Sequence, residues 1–421
     1  MKRTLLPLVL GLALLSPAAA RAANWNWLTQ YQTPNIHYGQ LALHPYYDFS
    51  QVYDSNIYLV PRDQPGGKIL GGGHRESWIT RNTLGLEALL PWRRLHELAF
   101  GYDFESQIYT TQPDINNAID QSAHVDYTYK GAYGLTYKAG DKYLNTTDPA
   151  FSQLTGRQWR WQNNAHTSLD YKPANGRLAG GLDASQTNDK YIRPDLAAQL
   201  NRFEDNFGFN AGYMVRPKTK VYLAYHRDII HYSVPAQSID KDNRSHNFGL
   251  GVDGQLAPKW EGQVEAGASY RQYDVASSSG QSRVFLSATV AASVLYKADP
   301  YTTVKISVHR FAEESIDASN PLYFDNVATV DVTHRFPRKF SAGLTGTFEV
   351  DQYPFSQVID SGGTVVKRRD DTYMYGGWVT YDIQKWLSTG FAFNRRERNS
   401  TIPSLFNFDE NLVAWHATLR F

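Results

Sequence analysis

The clearest pattern in the chain is its last. Over Asn411–Phe421, Val413, Trp415, Ala417, Leu419 and Phe421 fall on one side of a two-residue repeat, and Ala414, His416, Thr418 and Arg420 on the other. Side chains of an extended strand point alternately to its two faces, so the repeat predicts a strand with one apolar and one polar face. The same alternation runs upstream. In 260–274, Val264, Ala266, Ala268 and Tyr270 oppose Glu261, Gln263, Glu265, Ser269 and Arg271. In 302–314, Val304, Ile306 and Val308 oppose Lys305, Ser307 and His309; in 322–336, Ala328, Val330 and Val332 oppose Thr329, Asp331, Thr333 and Arg335. Such segments recur about every 21 residues from near Ile36 onward. Eighteen strands are expected, the first over 37–58 and the last over 409–421, with strands over 339–353 and 368–383 among those between.

The connections sort into two kinds. Leu90–Arg93, Lys172–Gly176, Val215–Thr219, Leu256–Lys259, Lys297–Pro300, Phe336–Lys339 and Ile383–Lys385 are tight, with Pro, Gly or Asn in most of them, as hairpin turns favour. Val60–Gly73, Asn145–Gly156, Tyr191–Gln199, Ser233–Asp240, Asp317–Pro321, Phe355–Val366 and Ser400–Asn407 are long and polar. Short and long alternate, as short periplasmic turns and longer external loops do in a membrane barrel. Eighteen strands apolar on one face, with no helix or second sheet to cover that face, need lipid. An open sheet edge in hydrocarbon would leave backbone groups unpaired, so the sheet must close. The expected fold is all-β: a transmembrane antiparallel up-and-down β-barrel of about 18 strands. Trp92, Tyr102, Tyr129, Tyr171, Tyr213, Tyr296 and Tyr381 are expected in its interfacial girdles.

Composition agrees with this. Mean hydropathy is −0.48 although 14% of residues are aromatic, a combination that alternating membrane strands produce. The absence of Cys removes disulfides and thiolate metal sites. Lys2 and Arg3, the apolar run Leu5–Leu15 and the small-residue site Ala20-Arg21-Ala22 read as a signal peptide over 1–22. A short lead over 23–35 and a barrel over 36–421 complete the expected organisation, with no room for an N-terminal plug. Export makes a nucleic-acid partner unexpected, and a net charge of +1 gives no reason for one.

The polar faces name the candidate pore-lining residues. They are Arg81, Glu87, Glu97, Asp103, Glu105, Asp126, Asp170, Asp183, Lys220, Tyr222, Asp253, Glu265, Arg271, Lys305, Asp331, Arg335, Glu349, Trp378, Arg396 and Arg420. Both signs occur, which implies a hydrated lumen; any constriction would come from loops folding inward, Val60–Gly73 and Phe355–Val366 being the longest. The short turns carry Arg93, Arg94, Lys172, Arg216, Lys218, Lys259, Lys297, Arg338, Lys339 and Lys385, a candidate basic ring at the periplasmic mouth. Such cations snorkel to anionic phospholipid, and they also form a collecting field for an anionic polymer or a dock for an acidic partner. No catalytic, metal or cofactor site is expected. Ser307 and His309 share a face, but no stretch offers a nucleophile motif or a His-x-x-x-His spacing.

Several stretches resemble a known family. The His44–Leu59 run (HPYYDFSQVYDSNIYL), Arg368–Thr372 (RRDDT) leading to Trp378–Tyr381 (WVTY), and Arg395–Ser400 (RRERNS) resemble the opening strand and closing hairpins of outer-membrane β-barrel porins associated with exopolysaccharide synthesis genes. The terminal Phe421 resembles the aromatic signal that the barrel-assembly machinery reads in Gram-negative outer-membrane proteins. The resemblance implies a non-enzymatic channel in the outer membrane, among phospholipid and lipopolysaccharide, passing a polysaccharide cargo. It also implies a separate periplasmic polysaccharide-export protein as partner. The alternative reading is a diffusion porin for small-solute uptake.

Overall fold

The computed structural model describes residues 36–61, 74–148, 157–174, 176–233, 241–274, 283–316, 320–358 and 363–421. The expected signal peptide and lead, and all or part of five expected loops (Val60–Gly73, Asn145–Gly156, Ser233–Asp240, Asp317–Pro321 and Phe355–Val366), lie outside the described residues.

A three-residue strand, β1 (Ile36–Tyr38), turns back at Gly39 (φ +62°) onto β2 (Leu41–Asp54). The expected first strand over 37–58 is therefore two. Next come β3 (Ser77–Trp92), β4 (His96–Tyr109), β5 (Ala118–Lys130), β6 (Leu135–Thr146), β7 (Arg160–Tyr171), β8 (Leu178–Tyr191), β9 (Arg202–Arg216) and β10 (Thr219–Tyr232). The second half comprises β11 (Asn243–Ala257), β12 (Trp260–Tyr273), β13 (Val284–Lys297), β14 (Thr302–Glu314), β15 (Leu322–Arg335), β16 (Phe340–Val358), β17 (Val365–Gln384), β18 (Leu387–Ser400) and β19 (Phe408–Arg420). Each pairs antiparallel with the next, and β19 pairs with β2 from Leu412↔Asp54 to Arg420↔Tyr46. The result is a closed up-and-down barrel of eighteen long strands, β2 to β19, as the alternation predicts.

Closure depends on the last strand. The backbone N–H of Phe421 donates to Pro45 O at 3.0 Å, while on the inner side the Thr418 hydroxyl donates to Asp48 at 2.5 Å. Ser50 donates to the same carboxylate at 2.6 Å.

Facing follows from exposure. Leu84, Leu250, Leu344 and Phe391 point outward and are 56–67% exposed, whereas Asp48, Ser245, Thr372 and Thr418 on the other face are 0–5% exposed. A wall that shows leucine outside and buries threonine inside is built for lipid outside and a polar interior. At the turn end, Trp260 stacks on Tyr296 (4.5 Å) and Phe340 lies against Tyr381 (4.7 Å), outward aromatic pairs of the kind found at membrane interfaces. Tyr102 departs from that expectation. It lies level with Leu84, near mid-wall, and its hydroxyl donates outside the sheet to Gln121.

The short turns and the described chain ends share one end of the barrel. At the other, three short helices begin with Pro: α1 (Pro113–Asn116), α2 (Pro194–Leu200) and α3 (Pro403–Phe406). Proline at a first helical position loses no intrahelical bond and pre-sets φ. Residues after β2 also fold inward here. Ile57 and Tyr58 pack with Val52, Ile79, Tyr109 and Ala414, and Asn56, with 0% exposure, donates to Val60 O and Asp409 O.

Candidate functional site: the inner wall

Strand alternation places all twenty candidate pore-lining residues on the inward face. Strands of such a barrel tilt, so partners on successive strands climb toward the loop end, and one depth is reached about one residue lower on each strand. Three zones follow from that register.

Halfway down the wall is a zone rich in carboxylates. Glu87 lies 3.4 Å from His124 Nε2; Asp126 lies 3.9 Å from the same atom and 3.4 Å from His166 Nε2. Asp103 accepts from the Tyr46 hydroxyl (2.5 Å) and from Ser122 (3.1 Å). Glu265 accepts from Tyr222 (2.9 Å), and Asp331 accepts from Thr345 (2.8 Å) with Lys305 opposite it in the register. Asp183 and Trp378 complete this zone. Asp183 lies across Gly208, where a Cβ would meet its carboxylate at 2.3 Å. Tyr46 lies so close across Gly85 that a Cβ there would meet the ring at 2.1 Å, and Trp378 crosses Gly343 in the same way at 2.4 Å. Glycine is needed at both positions because any side chain would lift the ring off the wall.

Toward the turns lie Glu97, paired with Lys130 at 3.8 Å, and Lys220, which donates to Asn210 at 3.1 Å with Asp253 opposite. Asp170 lies against Gly181, and Arg335 and Arg420 close the zone on β15 and β19.

Toward the loops the wall becomes a set of buried ionic networks. Arg81 faces Glu105 (3.9 Å), whose other partners are Thr83 and Gln107; Arg396 faces Glu410 (3.6 Å). Arg271 donates to Glu314 at 2.6 Å, and Glu314 also accepts from Asn243, Tyr232 and Tyr273. Arg368 and Asp370 pair on β17, with the guanidinium 4.5 Å over the Tyr353 ring. Glu349 is buried with Asp325 and Asp351, their ligand atoms all within 4.8 Å of one another. His309 reaches Asp325 (3.3 Å); no hydrogen bond among those described joins it to Ser307.

Sequence reasoning missed several of these groups. Glu314, Asp48 and the histidines 124, 166 and 416 share the wall with the named residues. For His124 and His416 the signal was present, since each falls on the polar side of its strand's repeat. Glu314 gave a contrary one: it falls on the Val304–Ile306–Val308 side of its strand's repeat and reaches β10, β11 and β12 where β14 is no longer paired with β13.

The ten turn cations gather at one rim. Arg93, Arg94, Lys259, Arg338 and Lys339 adopt left-handed backbone with φ between +49° and +70°. Two are consecutive pairs of positive φ, as type I′ turns require and as Asn-Gly normally supplies. Lys259 Nζ donates to Ala298 O and Lys339 Nζ to Ile383 O, while Lys297 pairs with Glu261. Lys172, Arg216, Lys218 and Lys385 flank the remaining turns. Arg94→Gly and Arg338→Gly are expected to raise stability by roughly 1 kcal/mol each, by relieving a left-handed L-residue, and thermal melts check this. In the β13–β14 turn, Thr302 and the backbone N–H of Tyr301 donate to Asp299 and hold its carboxyl below the usual range. That contribution is present above the ordinary aspartate pKa and fades as pH falls through the lowered one.

A closed β-barrel with an apolar exterior and a charged, hydrogen-bonded interior is a membrane channel protein in class. Residues 194–421, more than half the chain, match the family described as "Putative beta-barrel porin 2", and the chain belongs to that family. No curated protein matches it. Among solved structures it is similar to the siderophore receptor PirA from Acinetobacter baumannii (9% identity, TM-score 0.42, 89% of this chain and 80% of that one). It is also similar to a mutant of the ferric enterobactin receptor PfeA from Pseudomonas aeruginosa (9%, 0.46, 90% and 80%). A bacterial polysaccharide outer membrane secretin is a third (10%, 0.34, 89% and 98%). Nothing about cargo follows from likeness at this level.

Proposed function

We propose that the protein is an outer-membrane channel through which a neutral or cationic exopolysaccharide leaves the cell. One observation carries this reading: the mid-wall lining of flat-lying aromatic, hydroxyl and carboxylate side chains, exemplified by Tyr46 on Gly85 and Trp378 on Gly343. Rings held parallel to the wall offer stacking faces to sugars, and the polar groups between them exchange hydrogen bonds with hydroxyls. The acids at mid-depth disfavour an anionic polymer. The turn cations then face the periplasmic leaflet, where they meet anionic headgroups and offer a dock to a separate export protein. Phe421, its ring outward, fits the assembly signal.

Because the chain has no cysteine, the lumen can be tested one position at a time. Ala291 lies opposite Glu265 on the inner face, and its neighbour Ala292 lies opposite Val264 on the outer face. A bulky maleimide on Ala291→Cys should cut surface polysaccharide sharply, and the same reagent on Ala292→Cys should leave it intact. Equal surface polymer in both would sink the export reading and leave small-solute diffusion.

The charge of the wall makes a second prediction. Acid rings favour cations, so the protein in a planar bilayer under a KCl gradient should give a cation-selective reversal potential. Glu87→Gln with Asp126→Asn should move that potential toward zero, most clearly at low salt, where screening is weakest.

A further inference from the structure

The outer wall carries polar pairs on several strands, Tyr47 with Asn82 and Tyr102 with Gln121 among them, and β6 to β9 bear carboxylate–amide pairs. On β6 and β7, Asp141 and Asn163 point outward, and the Asn163 amide donates to the Asp141 carboxylate at 2.7 Å. Two strands on, Gln186 of β8 donates to Asp205 of β9 at 2.8 Å, also outside. Allowing for strand tilt, Asp141 lies at the depth of Leu84, Leu250 and Leu344, residues that face lipid. Beside it stand Ala139 on its own strand and Ala165 directly opposite on β7, with Tyr143 and Val125 on its other sides.

We propose that this sector is where a second copy of the chain docks within the membrane. The stripe is self-complementary. Each pair contains an amide donor and a carboxylate acceptor, and neither uses its full capacity within the sheet, since a carboxylate accepts through two oxygens and an amide donates through two hydrogens. A carboxylate at this depth needs a polar partner at the same depth. Copies inserted in the same direction present the same stripe at the same level, so a two-fold axis along the membrane normal sets amides of one against carboxylates of the other. Ala139 and Ala165 let the two walls approach closely, as small residues do between membrane helices. An acyl chain would supply none of these partners.

The experiment uses the full chain in its own membrane. Ala165→Cys, treated with a short bifunctional maleimide, should give a covalent dimer; Leu344→Cys, at the same depth on the far wall, should give none. Adding Asp141→Leu and Asn163→Leu to the Ala165→Cys chain should reduce cross-linking several-fold, with heat-modifiable gel mobility showing that the barrel still forms. Monomer alone with Ala165→Cys, equal cross-linking through Leu344→Cys, or dimer undiminished by the two leucines would each overturn the proposal. If the double-leucine chain fails to fold, the comparison of Ala165→Cys with Leu344→Cys decides alone.

Discussion

Glu314→Leu should lower the thermal stability of the barrel more than any other single replacement on the inner wall. Glu314 is 7% exposed and accepts from Arg271 at 2.6 Å, from Asn243 at 3.1 Å, and from Tyr232 and Tyr273 at 3.2 Å each. Arg271 is itself buried, and its Nε has no hydrogen-bond partner among the described residues. Removing the carboxylate leaves that guanidinium as a buried charge without its counter-ion, a loss of about 3–5 kcal/mol. Glu314→Gln keeps the shape and part of the hydrogen bonding, so its loss should be smaller. The temperature at which the folded band disappears on a heat-modifiable gel orders the three proteins. A leucine variant as stable as the parent would mean that the network is solvated rather than closed.

Gly85→Val should also be damaging, to a smaller extent and for the opposite reason. A Cβ at Gly85 would sit 2.1 Å from the Tyr46 ring, which is held in place by its hydroxyl bond to Asp103. Valine must lift the ring into the lumen and break that bond. Overpacking of this kind costs about 1–3 kcal/mol, and the displaced ring also narrows the passage. Tyr46→Ala in the same chain removes the obstruction, so the double variant should be more stable than Gly85→Val alone. That non-additivity separates a packed ring from two independent defects.

The parts legible in the sequence are those a two-residue repeat can carry. Alternation in 260–274 or 411–421 fixes which side chains share a face, and in a closed sheet one face is lipid and the other lumen. The alternation of short and long connections set the strand count and put the turn cations at one rim. What the repeat cannot carry is register. Glu314 meets Tyr232, Asn243 and Arg271 only because β14 is no longer paired with β13 beyond Arg310. Asp325 and Asp351, 26 residues apart, meet as register partners. Glycines in strand interiors read as weak points, yet Gly85 and Gly343 are the seats of aromatic rings. Near the loops, β16 runs on to Val358 and β17 begins at Val365, beyond the expected ends, because a hairpin continues above the membrane zone where no apolar pattern marks it.

The most direct measurement is made on a clean deletion of the gene in the source organism, with surface polysaccharide and periplasmic sugar assayed together. Export through this barrel predicts loss of surface polymer with accumulation in the periplasm, both restored by the gene. Normal surface polymer, with nothing retained in the periplasm, would contradict it.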